Sequence, residues 1–233
     1  MSTILMLSSS REGDTPYLSH AVNHINETLN GITDVVFVPY AGVTISHDQY
    51  TSMVQQALPQ LRVTGLHELA NAQAGLKKAS AILVGGGNTY VLLDTLYKLG
   101  LMDVIKQCVT GGIPYIGWSA GSNICGATIK TTNDMPIVEP PSFDALGFLP
   151  FQINPHFSNY QPPGHNGETR EQRLMEFSTL NPDVPIVGIK EGSALKLVNE
   201  KLTLLGPHEG VLIAHCKSQK IRVNSDLSHL LSS

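Results

Sequence analysis

Ile113-Pro114-Tyr115-Ile116-Gly117-Trp118-Ser119-Ala120-Gly121-Ser122-Asn123-Ile124-Cys125 runs from an apolar stretch into a helix-compatible one through a G-x-S-x-G turn. An apolar strand ending on such a turn is half of a βα unit, and it places the serine hydroxyl above the sheet edge. The turn is tight, so only small residues fit beside Ser119. The Ala120 amide then points toward an attacked carbonyl oxygen, and positive charge at the helix N-terminus adds to its pull. The plainer alternative is a βα turn that happens to be built of small residues.

The same alternation of strand and helix continues on both sides. Ile4–Leu7, Asp34–Tyr40, Arg62–Leu69 and Ala81–Val84 are strand candidates before the turn. Thr15-Pro16 opens a helix toward Leu29, with Thr at the cap and Pro at the first position. Further helices are expected at Asp48–Leu58, through Leu93 and Leu96, and at Met102–Val109. This pattern predicts an α/β fold with a mostly parallel, doubly wound sheet. Beyond the turn, residues 128–163 are rich in Pro, Asn and Asp, which argues for a long functional loop. A helix over about 168–180, a strand at Val184–Ile189, a hairpin of Ala194–Val198 with Leu202–Leu205, and a last strand at Val211–His215 complete the expectation. No repeat or linker divides the chain, so residues 1–233 are expected to form one domain.

Composition narrows the function classes. The 233 residues are 42% hydrophobic and 15% charged, which fits a folded core rather than disorder. The net charge is -4 with no basic run, so nucleic acid and anionic membranes are poor partners. No apolar run approaches the length of a bilayer span. Ile4–Leu7 has no cationic flank and reads as a strand rather than a signal peptide. Three cysteines without a CxxC pair point to free thiols in a reduced compartment. His20 and His24 have helical i, i+4 spacing but no acidic ligand context, so no metal is expected.

A nucleophilic serine needs a base, and the base needs an acid to orient it. His156, in Asn154-Pro155-His156-Phe157 just after the apolar segment Phe148–Ile153, is the leading base. Asp134 lies between Ser119 and His156, giving the chain order Ser, Asp, His found in α/β-hydrolases. Glu191 ends the strand Val184–Ile189, where sites gather in open α/β sheets. Asp134 is preferred and Glu191 stays open. Gly85-Gly86-Gly87-Asn88 fails G-x-G-x-x-G, because Tyr90 holds the third glycine position, and it has no Walker lysine. Its better use is a second oxyanion donor from the Gly87 amide, against a plain tight turn. Thr169-x-x-Gln172 has capping-box spacing. Arg170 then falls in a first helical turn, where the macrodipole disfavours a cation by roughly 0.3–1 kcal/mol. An anion receptor explains that placement; neutralisation by Glu168 or Glu171 is the alternative.

Gly85-Gly86-Gly87-Asn88-Thr89, Tyr115–Gly121, Thr131–Val138, Phe143–Leu146, Gln152–Phe157 and Gly167–Arg173 together resemble peptidase E, a family of α-aspartyl dipeptidases, over nearly the whole chain. The resemblance implies hydrolysis of small Asp-Xaa peptides by a relay matching Ser119, His156 and Asp134, with Glu191 as the other acid. It implies a flavodoxin-like fold related to class I glutamine amidotransferases; Arg170, as the anion receptor, and Asn88 are the candidate substrate contacts. It implies a cytoplasmic enzyme without metal or cofactor, and leaves room for a homodimer. A general esterase or amidase would share Ser119 and His156 but have no use for Arg170. A non-catalytic binding protein on the same fold would need neither.

Overall fold

The computed structural model describes residues 2–164 and 166–232. Its frame is a parallel set of strands: β1 (Thr3–Leu7), β2 (Asp34–Val38), β3 (Arg62–Gly65), β4 (Ile82–Val84) and β5 (Tyr115–Trp118). β6 (Gln152–Asn154) and β7 (Ile186–Gly188) pair in parallel elsewhere. β8 (Ala194–Val198) and β9 (Lys201–Leu205) form a hairpin, as do β10 (Gly210–Ala214) and β11 (Lys217–Ile221). The large sheet has seven strands in the order β3-β2-β4-β5-β1-β8-β9, antiparallel only at β8 and β9. The small one has four, ordered β11-β10-β7-β6.

Side chains alternate across the large sheet, as the two-residue period requires. Leu5, Leu7, Val35, Phe37, Leu83, Ile116 and Trp118 face α1 (Val22–Leu29) and α2 (His47–Ala57). Ile4, Met6, Val36, Val38, Ile82, Val84 and Tyr115 share a core with α3 (Ala72–Lys78), α4 (Thr89–Lys98) and α5 (Met102–Thr110). Ile153, Val187 and Leu212 of the small sheet join that second core. The other face of the small sheet packs under α7 (Arg170–Leu180) through Ile186, Val211 and Ile213 with Leu174. The architecture is therefore α/β, with a mostly parallel, doubly wound sheet of flavodoxin-like build. Among the described residues, no helix is long and apolar enough to cross a membrane.

Two local expectations give way to tertiary contacts. The first helix starts at Val22 rather than near Pro16, after a short 3-10 turn at Ser19–Ala21. Thr15 is committed to a turn, with its hydroxyl taking the Glu12 amide and its carbonyl taking Arg11. Tyr17 and Leu18 are drawn inward. The Trp118 indole donates to Tyr17 at 2.9 Å, and Leu18 adopts a left-handed φ of 58°. β11 was not expected, because its polar, mostly exposed Lys-Ser-Gln-Lys face has no hydrophobic alternation. It forms because His215 and Cys216 both take positive φ, 49° and 57°, and close a two-residue hairpin loop.

The C-terminal ends of β1, β4 and β5 meet at one edge, and glycine lets them approach. α6 (Ala120–Asn123) begins directly on β5. A Cβ on Gly121 would lie 2.2 Å from the Val84 carbonyl oxygen, and one on Gly117 would lie 2.3 Å from the Gly121 oxygen. Both obstacles are backbone and cannot swing away. Gly121→Ala should lower the unfolding free energy by about 1–3 kcal/mol in urea titration. An unchanged midpoint would contradict this close approach.

Candidate active site

Ser119 joins β5 to α6 with φ 53° and ψ -113°, a conformation that L-residues avoid. Surrounding bonds hold it there. Its amide donates to Leu7 O at 3.1 Å, and its carbonyl accepts from the Ser122 and Asn123 amides. The Ser122 hydroxyl reaches Leu7 O at 2.6 Å, and the buried Tyr115 hydroxyl donates to Gly121 O at 2.6 Å. Because α6 has only four residues, its dipole is small.

His156 follows β6 and also has a left-handed backbone, φ 54°. Its amide donates to Ser8 Oγ at 2.8 Å, and that hydroxyl donates to Ile189 O at 2.8 Å. Phe157 N also bonds Ile189 O, at 2.9 Å. Ser8 thus ties the end of β1 to the segments after β6 and β7. The imidazole then lies with Nε2 3.0 Å from Ser119 Oγ and Nδ1 2.7 Å from Glu191 Oε1. An ionised carboxylate only accepts, so Nδ1 carries the proton and Nε2 faces the serine as an acceptor. Glu191 reaches this position because it precedes β8, whose Ala194 pairs with Leu7 at the same sheet edge.

Asp134, the acid preferred from chain order, is not on the imidazole. Its Oδ2 accepts from the Thr89 amide at 2.7 Å and lies 3.3 Å from the Thr132 hydroxyl. Thr89 opens α4, where free amides and the dipole favour a carboxylate. The other expected contact, Asn88, is the N-cap of that helix. Its Oδ1 accepts from Val91 N at 3.1 Å and its Nδ2 donates to Met135 O at 2.9 Å, so its side chain is committed to structure. Gly87 has φ 138°, and a Cβ there would lie 2.1 Å from Ala41 O. Its amide has no protein partner among the described residues. Gly86 packs against Ser119, since a Cβ on it would lie 2.9 Å from Ser119 Cβ.

Arg170 opens α7, and the Thr169–Gln172 capping box is present as the spacing predicts. Its guanidinium donates to the carbonyls of Pro155 and His156. Burial lowers its pKa and the neighbouring Arg173 adds to that, while Asp134 and Glu191 oppose it. No carboxylate pairs with it within salt-bridge distance among the described residues. Arg170, Asp134, Asn123 and Thr132 line a cavity of about 200 Å³ with Ser119 and His156. Asn123 is 3% exposed, and its Oδ1 has no hydrogen-bond partner.

Sequence reasoning passed over several residues that build this site. Asn154 donates to Thr131 O at 2.7 Å and to Asn133, and Asn133 donates to Pro155 O at 3.1 Å. This net fixes the turn that carries His156. Ser8 could have been noticed as the first of three serines after an apolar strand, at the edge where such sheets hold their sites. The asparagines carry no such signal.

The model of peptidase family S51 matches residues 4–205. The chain belongs to peptidase family S51. Peptidase E of Shewanella sp. (strain MR-4) is 53% identical over 232 residues, covering 97% of this chain and 98% of its own. Peptidase E of Shewanella denitrificans is 52% identical over 231 residues, with the same coverage. A solved peptidase from an acI-B1 Actinobacterium shares the fold, with TM-score 0.70 and 16% identity, covering 97% of this chain and 96% of its own. A protein from Listeria monocytogenes EGD-e does so at TM-score 0.67 and 23% identity, covering 89% of this chain and 100% of its own. Membership in S51 makes peptide hydrolysis the activity that the geometry must explain.

The contacts of the imidazole separate the two acids experimentally. Glu191→Gln should slow covalent labelling of Ser119 by a fluorophosphonate by on the order of 10²–10⁴, as loss of an orienting carboxylate does. Ser8→Ala should slow it less, and Asp134→Asn should leave it within a few-fold of wild type. Slower labelling of Asp134→Asn than of Glu191→Gln would contradict the geometry.

Proposed function

We propose that the protein is a serine-type peptidase that hydrolyses dipeptides with an N-terminal aspartate. The observation that carries this reading is Arg170, a half-buried guanidinium without a carboxylate partner among the described residues, lining the same cavity as Ser119. An unpaired cation in a partly desolvated cleft is costly unless an anion arrives there. The aspartyl β-carboxylate is an anion of the right reach, and the relatives bearing the name peptidase E support a peptidase.

In this mechanism Ser119 Oγ attacks the aspartyl α-carbonyl. His156 Nε2 takes the serine proton and delivers it to the leaving amine. Glu191 holds the Nδ1 proton and stabilises the imidazolium. The Ala120 and Gly87 amides receive the oxyanion; one such donor is worth roughly 10²–10³ in turnover. Water then enters, His156 acts as base again, and the acyl-enzyme is cleared. With Glu191 assigned to His156, Asp134 is available for the substrate's α-ammonium. Its Oδ1 has no protein partner among the described residues, and the unpartnered Asn123 Oδ1 offers a second acceptor. Arg170 and Asp134 would then read opposite charges on one aspartyl residue.

The free thiols support a cytoplasmic setting for this activity: Cys108 and Cys125 are buried, Cys216 is exposed, and none is paired.

Asp-Leu and Ala-Leu test the assignment. Wild type should prefer Asp-Leu, and Arg170→Met should lower kcat/KM for it by about 10–10²-fold, the worth of a charged hydrogen bond. Turnover of Ala-Leu should fall less, by the share that Arg170 contributes through the Pro155 and His156 carbonyls. Equal rates on both peptides would mark a general amidase instead. Asp134→Asn should weaken Asp-Leu mainly through KM and abolish discrimination against N-acetyl-Asp-Leu, whose amine carries no charge. Retained discrimination would remove Asp134 from the ammonium site.

A further inference from the structure

A second cavity reaches the reacting atoms from another side. It is about 310 Å³ and is walled by Tyr17, Val43, Ile45, Tyr50 and Met53, with the Gly86–Gly87 backbone beside Ser119. Among the described lining residues it shares only Ser119 and His156 with the Arg170 cavity. That sharing constrains what each can hold. In acyl transfer the acyl chain and the leaving amine diverge from the attacked carbon, and the general acid must reach the leaving nitrogen. Each of the two spaces that contain both Ser119 and His156 therefore takes one side of the scissile bond.

Their chemistry differs sharply. The Arg170 cavity is polar and charged. The second cavity has no lysine, arginine, aspartate or glutamate in its described lining. Its phenols are engaged with one another and with the wall. Tyr17 donates to Tyr50 at 3.1 Å, Tyr50 donates to Gly86 O at 2.9 Å, and the Trp118 indole donates to both hydroxyls. Burial raises the pKa of both phenols, which keeps them neutral. Ile45, Met53 and Tyr17 pack against the core behind, while Val43 stands 55% exposed at the rim.

We propose that this second cavity is the leaving-side subsite, and that it selects Asp-Xaa dipeptides whose second residue is apolar, such as Leu, Met or Phe. The proposal rests on the Asp-Xaa reading for the other cavity. The leaving residue's own α-carboxylate then stays in water at the open rim by Val43, whereas a charged second side chain taken deeper would lose water and find no counter-charge, and an apolar one gains by leaving water.

The test is kcat/KM for Asp-Leu, Asp-Phe, Asp-Glu and Asp-Lys, with Ala-Leu as the acyl-side control. Asp-Leu and Asp-Phe should exceed Asp-Glu and Asp-Lys by about 10–100-fold, the scale on which apolar pockets discriminate. Met53→Lys and, at the exposed rim, Val43→Lys should each raise Asp-Glu relative to Asp-Leu by about tenfold, with native circular dichroism retained. Equal rates across the four aspartyl peptides, with Asp-Leu still preferred to Ala-Leu, would overturn the subsite and leave the Asp-Xaa reading intact. So would an unchanged Asp-Leu to Asp-Glu ratio in both folded lysine variants. Failure of folded wild type to cleave any aspartyl dipeptide would overturn the Asp-Xaa reading, and the subsite with it.

Discussion

The backbone of Ser119 sits where a non-glycine residue costs of order 1–3 kcal/mol, and the neighbouring structure is arranged to hold it there. Leu7, at the end of β1, takes both the Ser119 amide and the Ser122 hydroxyl. Gly121 lies against the Val84 carbonyl, at the end of β4. Tyr115 reaches from within β5 to Gly121 O. Three adjacent strand ends thus fix one hydroxyl. The regular parallel sheet supplies the rigidity that the turn lacks.

The imidazole comes from outside that sheet. His156 hangs from the end of β6 in the small sheet, and the Ser8 hydroxyl pins its amide to the large one. The imidazole is therefore positioned by a contact between the two sheets, and Glu191 bonds its other nitrogen from the segment leading into β8. The His156 and Glu191 side chains remain 38% and 52% exposed, so solvent screens this pair and its worth lies in orientation more than in raw attraction. Around Ser119 Oγ, one cavity holds Arg170 and Asp134, and another has no lysine, arginine, aspartate or glutamate in its described lining. That division gives a single serine different chemistry on its two sides.

Much of this was legible from residues alone, because it rests on local rules. G-x-S-x-G after an apolar run predicts the turn at Ser119, capping-box spacing predicts the start of α7, and short continuous apolar runs predict β1, β2, β4 and β5. The residues that misled did so through long-range contacts. Asp134 has the chain order of a relay acid, yet the N-terminus of α4 captures its carboxylate. Asn88 sits in a glycine-rich stretch that invites a ligand role, but it caps that same helix. Thr15-Pro16 has the form of a helix start, but Tyr17 is drawn to Trp118 instead. Asn133 and Asn154 act through partners 20 or more residues away, and no sequence spacing announces them; Ser8 acts at still longer range, and only its place after an apolar strand hints at it.

The central claim is that Ser119 becomes covalently acylated with His156 as its base. Acid-quenched digestion of enzyme mixed with excess Asp-p-nitroanilide, followed by mass spectrometry, tests it directly. An aspartyl adduct should appear on the peptide containing Ser119 in wild type, form far more slowly in Glu191→Gln, and be absent from Ser119→Ala, which should be inactive. An adduct on another residue, or full turnover by folded Ser119→Ala, would contradict the account.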